Sequence, residues 1–317
     1  MILALAGGVG GAKLAHGLSM QLKPRDLLVV VNTGDDFTHL GLHISPDLDT
    51  VMYWLAGQND AARGWGLADE TWNFMAALER LGGPTWFNLG DRDLATHVER
   101  TQRLCAGDTL SAVTRYLCGR LHIEHAVAPM SDDKVRTIVH TDEGELEFQH
   151  YFVRRHCEPR VFRFAFENAE AASPSPAFDA ALASASTDAI VICPSNPFLS
   201  IEPILKIAGV RERIAQSRAP VVAVSPIVAG DAIKGPAAKI MRELGREASA
   251  LEVARHYRGL IDGIVIDALD AALKPQIEAL GVKVAVTNTI MKSRSDQTLL
   301  ARTAIEFAAA LSNAVRA

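Results

Sequence analysis

Six short runs of aliphatic and β-branched residues punctuate this chain, at residues 2–6, 27–31, 189–193, 221–224, 263–266 and 282–286. Apolar runs of this length, without alternation, mark strands covered on both faces. The stretches between them repeat their apolar residues at helical spacing, over 12–21, 71–81, 108–121, 201–207, 237–244, 250–260 and 299–315. Doubly covered strands separated by helices build an α/β fold, here a Rossmann-like, doubly wound and mostly parallel sheet.

Between 92 and 176 the rhythm fails. Residues 135–140, a turn at Asp142-Glu143-Gly144 and residues 146–148 read as a β-hairpin, and Ser173-Pro174-Ser175-Pro176 reads as a connector. The expected organisation is a nucleotide- and phosphate-binding core from 1–91 and 177–317, with a smaller α+β subdomain inserted at 92–176. A chain of 317 residues is long enough to bury such a core without covalent staples.

Composition removes several function classes. At 49% hydrophobic and 22% charged residues, the chain is not a disordered one. With 32 Lys and Arg against 37 Asp and Glu, it lacks the basic face that a nucleic-acid binder uses to displace counterions, so any anion site is local. No stretch reaches the ~18 apolar residues of a membrane span, and residues 1–6 are too short for a signal-peptide core. Cys105, Cys118, Cys157 and Cys193 form no Cys-x-x-Cys pair and read as buried free thiols. A soluble, cytoplasmic protein with small-molecule ligands, and with neither nucleic acid nor membrane as partner, is expected.

Chemistry gathers at the strand ends, which in a parallel sheet line the ligand crevice. The first run leads into Gly7-Gly8-Val9-Gly10-Gly11-Ala12-Lys13, where glycines let amides approach an anion and a helix start adds partial positive charge. Gly8, Val9, Gly10, Gly11 and Lys13 are therefore phosphate-binding candidates, although the spacing matches neither a dinucleotide fingerprint nor a Walker loop. A tight turn that only packs the helix is the plainer alternative. The second run leads to Asn32-Thr33-Gly34-Asp35-Asp36 and then Ser45-Pro46-Asp47-Leu48-Asp49-Thr50. Asp47 suits a helix N-cap, while Asp36 and Asp49 suit a hard cation such as Mg²⁺; a solvated acidic loop is the alternative.

Further along, Arg92 stands between Asp91 and Asp93, after Asn88 and Gly90. This is either a surface ion-pair cluster or a guanidinium held rigid to face a phosphate or aromatic ring. His97 suits a packed core position as well as a site. After the later strands, Ser195, Asn196 and Ser225 sit in proline-fixed loops suited to a base or ribose edge, or merely to closing the sheet. Lys234 and Lys239 are phosphate contacts or solvated lysines.

Taken with Met130-Ser131-Asp132-Asp133, these segments resemble the 2-phospho-L-lactate transferases of coenzyme F-420 biosynthesis, along the whole chain and most specifically at 45–50 and 90–97. The resemblance implies a dimeric, Mg²⁺-dependent enzyme. It would move the phospho-acid part (phospholactyl, phosphoenolpyruvyl or phosphoglyceryl) of a guanylylated donor to the ribityl hydroxyl of the deazaflavin Fo, releasing GMP. It implies that Asp36, Asp49 and Arg92 are catalytic and that Asp49, Thr50, Asn88, Gly90, Asp91 and Arg92 lie at Fo. Asp49 then either holds the metal or orients the hydroxyl. Some relatives carry Lys at the position of Asn88. Phosphoryl-group transfer asks mainly for charge neutralisation and in-line positioning, which these residue types supply. A non-catalytic nucleotide-sugar-binding regulator of the same superfamily would share the glycine turn but has no use for 45–50 together with 90–97. A nicotinamide-dependent dehydrogenase conflicts with the glycine spacing and with Asn32 where an acid is usual. The transferase reading requires residues 7–13 and Asp49 to share one cleft.

Overall fold

A computed structural model describes residues 1–316, with side chains through residue 312. Its centre is a seven-stranded sheet made of β1 (Ile2–Ala6), β2 (Leu27–Val31), β3 (Ala126–Pro129), β4 (Ala189–Ile192), β5 (Val221–Val224), β6 (Gly263–Asp267) and β7 (Lys283–Thr287). The order is β7-β6-β5-β4-β1-β2-β3, with every pair parallel. Successive residues point to opposite faces. Leu3, Leu5, Val30, Ile190 and Ile192 enter one core, and Ala4, Ala6, Val29, Val31 and Val191 the other. The doubly wound α/β expectation therefore holds. Strand order reverses between β1 and β4, and that reversal opens a crevice at the carboxyl edge of the sheet.

Segment 92–176 does more than form an insertion. Its residues 126–129 pair with β2 as the sheet's edge strand β3, and only later residues build a separate antiparallel sheet, ordered Gly144–Glu147, Arg136–Thr141, Val161–Glu167. The edge strand carries two alanines and ends on Pro129, a residue tolerated at an edge because a neighbouring ladder bond is not needed there.

Four helices matter for the site: α1 (Gly8–Ser19), α2 (Pro46–Leu55), α3 (Asn73–Arg80) and α4 (Asp91–Cys105). All four cysteines are free; Cys118 and Cys193 are buried, but Cys157 is half-buried and Cys105, ending α4, is exposed, against the expectation that all four lie inside. Among the described residues no helix is long and apolar enough to cross a membrane.

Candidate functional site

A cleft of about 460 Å³ lies at the reversal point, and residues 8–10, Asp49 and the loops after β4 and β5 all line it. Helix α1 begins at Gly8, not near residue 12, so the glycines are its first turn. Gly8 adopts φ +62°, a conformation that only glycine takes readily. Its N–H donates to Asp47 Oδ1 at 2.7 Å, and the Gly7 N–H donates to Ser195 Oγ at 3.1 Å. Gly10 is required for space: a Cβ there would stand 2.1 Å from the Pro194 carbonyl oxygen. Gly11 abuts Ala6 and Ser195 and is not part of the cleft wall, whereas Gly8, Val9, Gly10 and Lys13 are.

Two lysines face this turn. Lys13 Nζ donates to the Met291 carbonyl at 2.8 Å, and burial, with Lys234 nearby, pulls its pKa below the ordinary value. Lys234 Nζ donates to the Arg63 carbonyl at 3.0 Å. Lys239 pairs instead with Glu243 at 2.6 Å, outside this cleft. Of the polar loop residues, Ser225 spends its hydroxyl on Ile227 within its own turn. Asn196 Oδ1 accepts from the Phe198 and Leu199 amides, leaving Nδ2 buried and unpartnered at the cleft wall.

The acidic residues sort differently from the sequence expectation. Asp35 and Asp47, not Asp36, line the cleft beside Gly8, and the Asn32 side-chain amide donates to both, at 3.0 Å to Asp47. Burial, then the neighbouring carboxylates, push Asp35 well above the ordinary carboxyl range. Burial raises Asp47 to about 6 despite its bonds from Asn32 and Gly8. Asp36 turns away: it accepts from the Ser45 hydroxyl at 2.6 Å and faces His43 at 3.1 Å. Asp47 does not cap its own helix, whose N-cap is Ser45; it satisfies the first amide of α1 instead. Two buried oxygen donors of like charge, aligned by one amide, suit a divalent cation of the Mg²⁺ type.

Asp49 has a different partner. Arg100, 1% exposed on α4, grips both its oxygens, with Nη1 3.1 Å from Oδ2 and Nη2 on Oδ1. His97 and Asp93 stand on the same face of α4. His97 Nε2 is 3.4 Å from Asp93 Oδ2, off hydrogen-bonding geometry, and the Tyr53 hydroxyl donates to Asp93 at 2.5 Å. Burial would raise Asp93; the His97 ring, Tyr53 and Arg100 outweigh it and hold it below the ordinary range. Asp49, Asp93 and His97 lie close enough to hold a metal, but the guanidinium already spans Asp49. A cation is better matched at Asp35 and Asp47. Sequence reasoning missed Arg100. The signal was present: 93, 97 and 100 follow i, i+4, i+7 spacing, which stacks them on one helical face.

Residues 90–92 hold this corner together and do not reach the cleft. Glu70 accepts from the Arg92 and Asp93 amides at 2.7 and 3.0 Å, capping α4. Gly90 must lack a side chain because a Cβ would come within 2.0 Å of Glu70. Asp91 reciprocates by capping α3, accepting from the Asn73 and Phe74 amides and the Thr71 hydroxyl, which lower its pKa to about 2. Arg92 is exposed and donates to the Ala68 carbonyl at 2.7 Å. Gly90, Asp91 and Arg92, expected at a substrate, here stand at the reciprocally capped starts of α3 and α4. Asn88 and Thr50 do line the cleft, as do the apolar Phe87, Phe148 and Phe152, the last two stacked at 5.3 Å.

Fold and site together define a doubly wound α/β protein whose ligand cleft joins a glycine turn, paired buried carboxylates and an aromatic wall. A solved structure of a UPF0052 family member from Bacillus halodurans has the same fold, with TM-score 0.62, 15% identity, and 96% of this chain and 98% of that one covered. The chain belongs to the 2-phospho-L-lactate transferase CofD family, whose profile matches residues 2–300. It is 43% identical over 313 residues to the phosphoenolpyruvate transferase of Streptomyces griseus, covering 97% of this chain and 98% of the relative. It is 38% identical over 325 residues to that of Mycobacterium ulcerans, with 97% and 98% covered. As a member of this family the protein is a transferase.

Proposed function

We propose that this transferase moves the phosphoenolpyruvyl group of a guanylylated donor to the ribityl hydroxyl of the deazaflavin Fo, releasing GMP, in coenzyme F-420 biosynthesis. The observation that carries the proposal is that the glycine turn and Asp49 line one cleft. The names of the relatives favour the enolpyruvyl donor over the lactyl and glyceryl forms.

In this reading the donor's diphosphate rests on the Val9 and Gly10 amides at the start of α1, with Lys13 and Lys234 supplying positive charge. Asp35 and Asp47 hold Mg²⁺, which neutralises phosphate charge when bound. The deazaflavin lies against Phe87, Phe148 and Phe152, and Thr50 and Asn88 offer hydrogen bonds to its polar edge. Asp49, fixed by Arg100, orients the attacking hydroxyl. The hydroxyl oxygen bonds to the phosphorus of the phospho-acid as the phosphorus–oxygen bond to GMP breaks, the departing GMP phosphate keeps that bond's electron pair, the hydroxyl proton leaves to solvent, and the protein's part is positioning and charge neutralisation. Asn196 Nδ2 is the free donor suited to the base or ribose.

Mass spectrometry after incubation with Fo, Mg²⁺ and each of the three guanylylated donors tests this. The expected product is the phosphoenolpyruvyl ester of Fo with stoichiometric GMP. Folded protein that makes no ester from any donor overturns the proposal.

A further inference from the structure

Among the described residues, Asp49 is the one cleft-lining carboxylate whose two oxygens are both taken by a buried cation. A carboxylate gripped in this way points where its partner points, so the direction of Asp49 is set by whatever sets Arg100. Arg100 itself has few other restraints: its Nη1 reaches toward the His43 carbonyl only at 3.5 Å. Its remaining hydrogen-bond partner among the described residues is His97 Nδ1, 3.3 Å from Nη1. A guanidinium is a donor only, so this bond requires the lone pair at Nδ1 and places the ring proton on Nε2. Nε2 faces Asp93 at 3.4 Å, and Asp93 is in turn anchored by the Tyr53 hydroxyl. His97 Nδ1 stands 3.6 Å from Asp49 Oδ2, too far to bond it directly. The ring is 2% exposed and reaches Asp49 through the guanidinium.

We propose that His97 is a positioning residue for the transfer: by accepting from Arg100 at Nδ1, it fixes the guanidinium that aims Asp49 at the acceptor hydroxyl. The inference rests on the reading of Asp49 as the residue beside that hydroxyl. It assigns to His97 a role that acts through Arg100 on the aim of Asp49, so its loss should show in kcat more than in KM for the donor. Loss of the Nδ1 acceptor lets the pair rotate, and a misplacement of about 1 Å at a reacting group is worth up to ~100-fold in rate.

The test compares His97→Leu, which keeps the bulk and removes both nitrogens, with His97→Asn, whose Oδ1 stands near the Nδ1 position and restores the acceptor. In full-length protein with Fo, guanylylated donor and Mg²⁺, His97→Leu is expected to lower kcat by about 10–100-fold. KM for the donor should stay within about threefold, and His97→Asn should recover most of the rate. A His97→Leu kcat within about twofold of the parent, or a His97→Asn variant as slow as the Leu variant, overturns the proposal. If the Leu variant fails to fold, His97→Gln replaces it. Gln places its polar atoms near Nε2, and a Gln variant as fast as the Asn variant is equally fatal. Crystal structures of parent and variants read the same question without turnover. The Asp49–Arg100 pair should move in the Leu variant and stay in the Asn variant, and an unmoved pair in both refutes the positioning role. Absence of turnover by the parent protein counts against the proposed function, and the structural comparison then decides the role of His97 alone.

Discussion

Replacing Arg100 with Met keeps an unbranched apolar stem in a position that is 1% exposed but removes the cation that grips Asp49. Burial opposes the guanidinium's charge, yet the facing Asp49 carboxylate outweighs it and raises the Arg100 pKa above its ordinary value. Breaking a buried pair from one side leaves an uncompensated charge and costs about 3–5 kcal/mol. At ~2–4 °C per kcal/mol, the melting temperature of Arg100→Met should fall by about 6–20 °C. The same reasoning fixes the sign of a second experiment. Adding Asp49→Asn to Arg100→Met removes the orphaned charge, so the double variant should melt above Arg100→Met, by about half of the loss or more. Thermal melts followed by circular dichroism, at matched pH and salt, read both. An Arg100→Met variant that melts within about 2 °C of the parent, or a double variant no more stable than Arg100→Met, refutes the buried pair.

Three other expectations can be checked together. Asp49→Asn should cut GMP release at saturating Mg²⁺ by at least ~100-fold; full turnover by the folded variant removes Asp49 from the mechanism. Lys13→Ala should raise KM for the guanylylated donor with a smaller effect on kcat, because its charge acts on bound phosphate before and during transfer; an unchanged KM contradicts this. Asp35 and Asp47 carry raised pKa values, the latter near 6 against an ordinary 3.8, so the folded state binds their protons more tightly than the unfolded one. Their protonated form therefore favours folding below the unfolded value, and stability declines as pH climbs through about 6. Mg²⁺ at this pair offsets the decline, so its stabilising shift in melting temperature should be larger near about pH 8 than near about pH 5. Equal shifts at both would place the cation elsewhere.

Much of the architecture is legible in the chain because a strand covered on both faces has one signature, a short unbroken aliphatic run, and six of the seven main strands carry it. Ala126–Pro129 does not: an edge strand of four residues with two alanines and a proline has no such run. The cleft's glycine turn and Asp49 were equally readable, since both follow strand ends. The choice between Asp35 and Asp36 was not. It is made by the Asn32 amide and by His43 and Ser45, contacts that a local pattern does not reveal. At 90–93 the motif itself was a sound pointer to a special place, but each residue's work depends on Glu70 and on the start of α3, about twenty positions away in the chain. Arg100 has a role only because α2 places Asp49 against it, a contact between separate elements.

A crystal structure of the protein with GMP and Fo bound together would examine the single-cleft arrangement most directly. The account predicts the GMP phosphate on the Val9 and Gly10 amides, the ribityl hydroxyl beside Asp49, and the ring system against Phe148 and Phe152. GMP and Fo found in separate sites, with no path from one to the other, would contradict it.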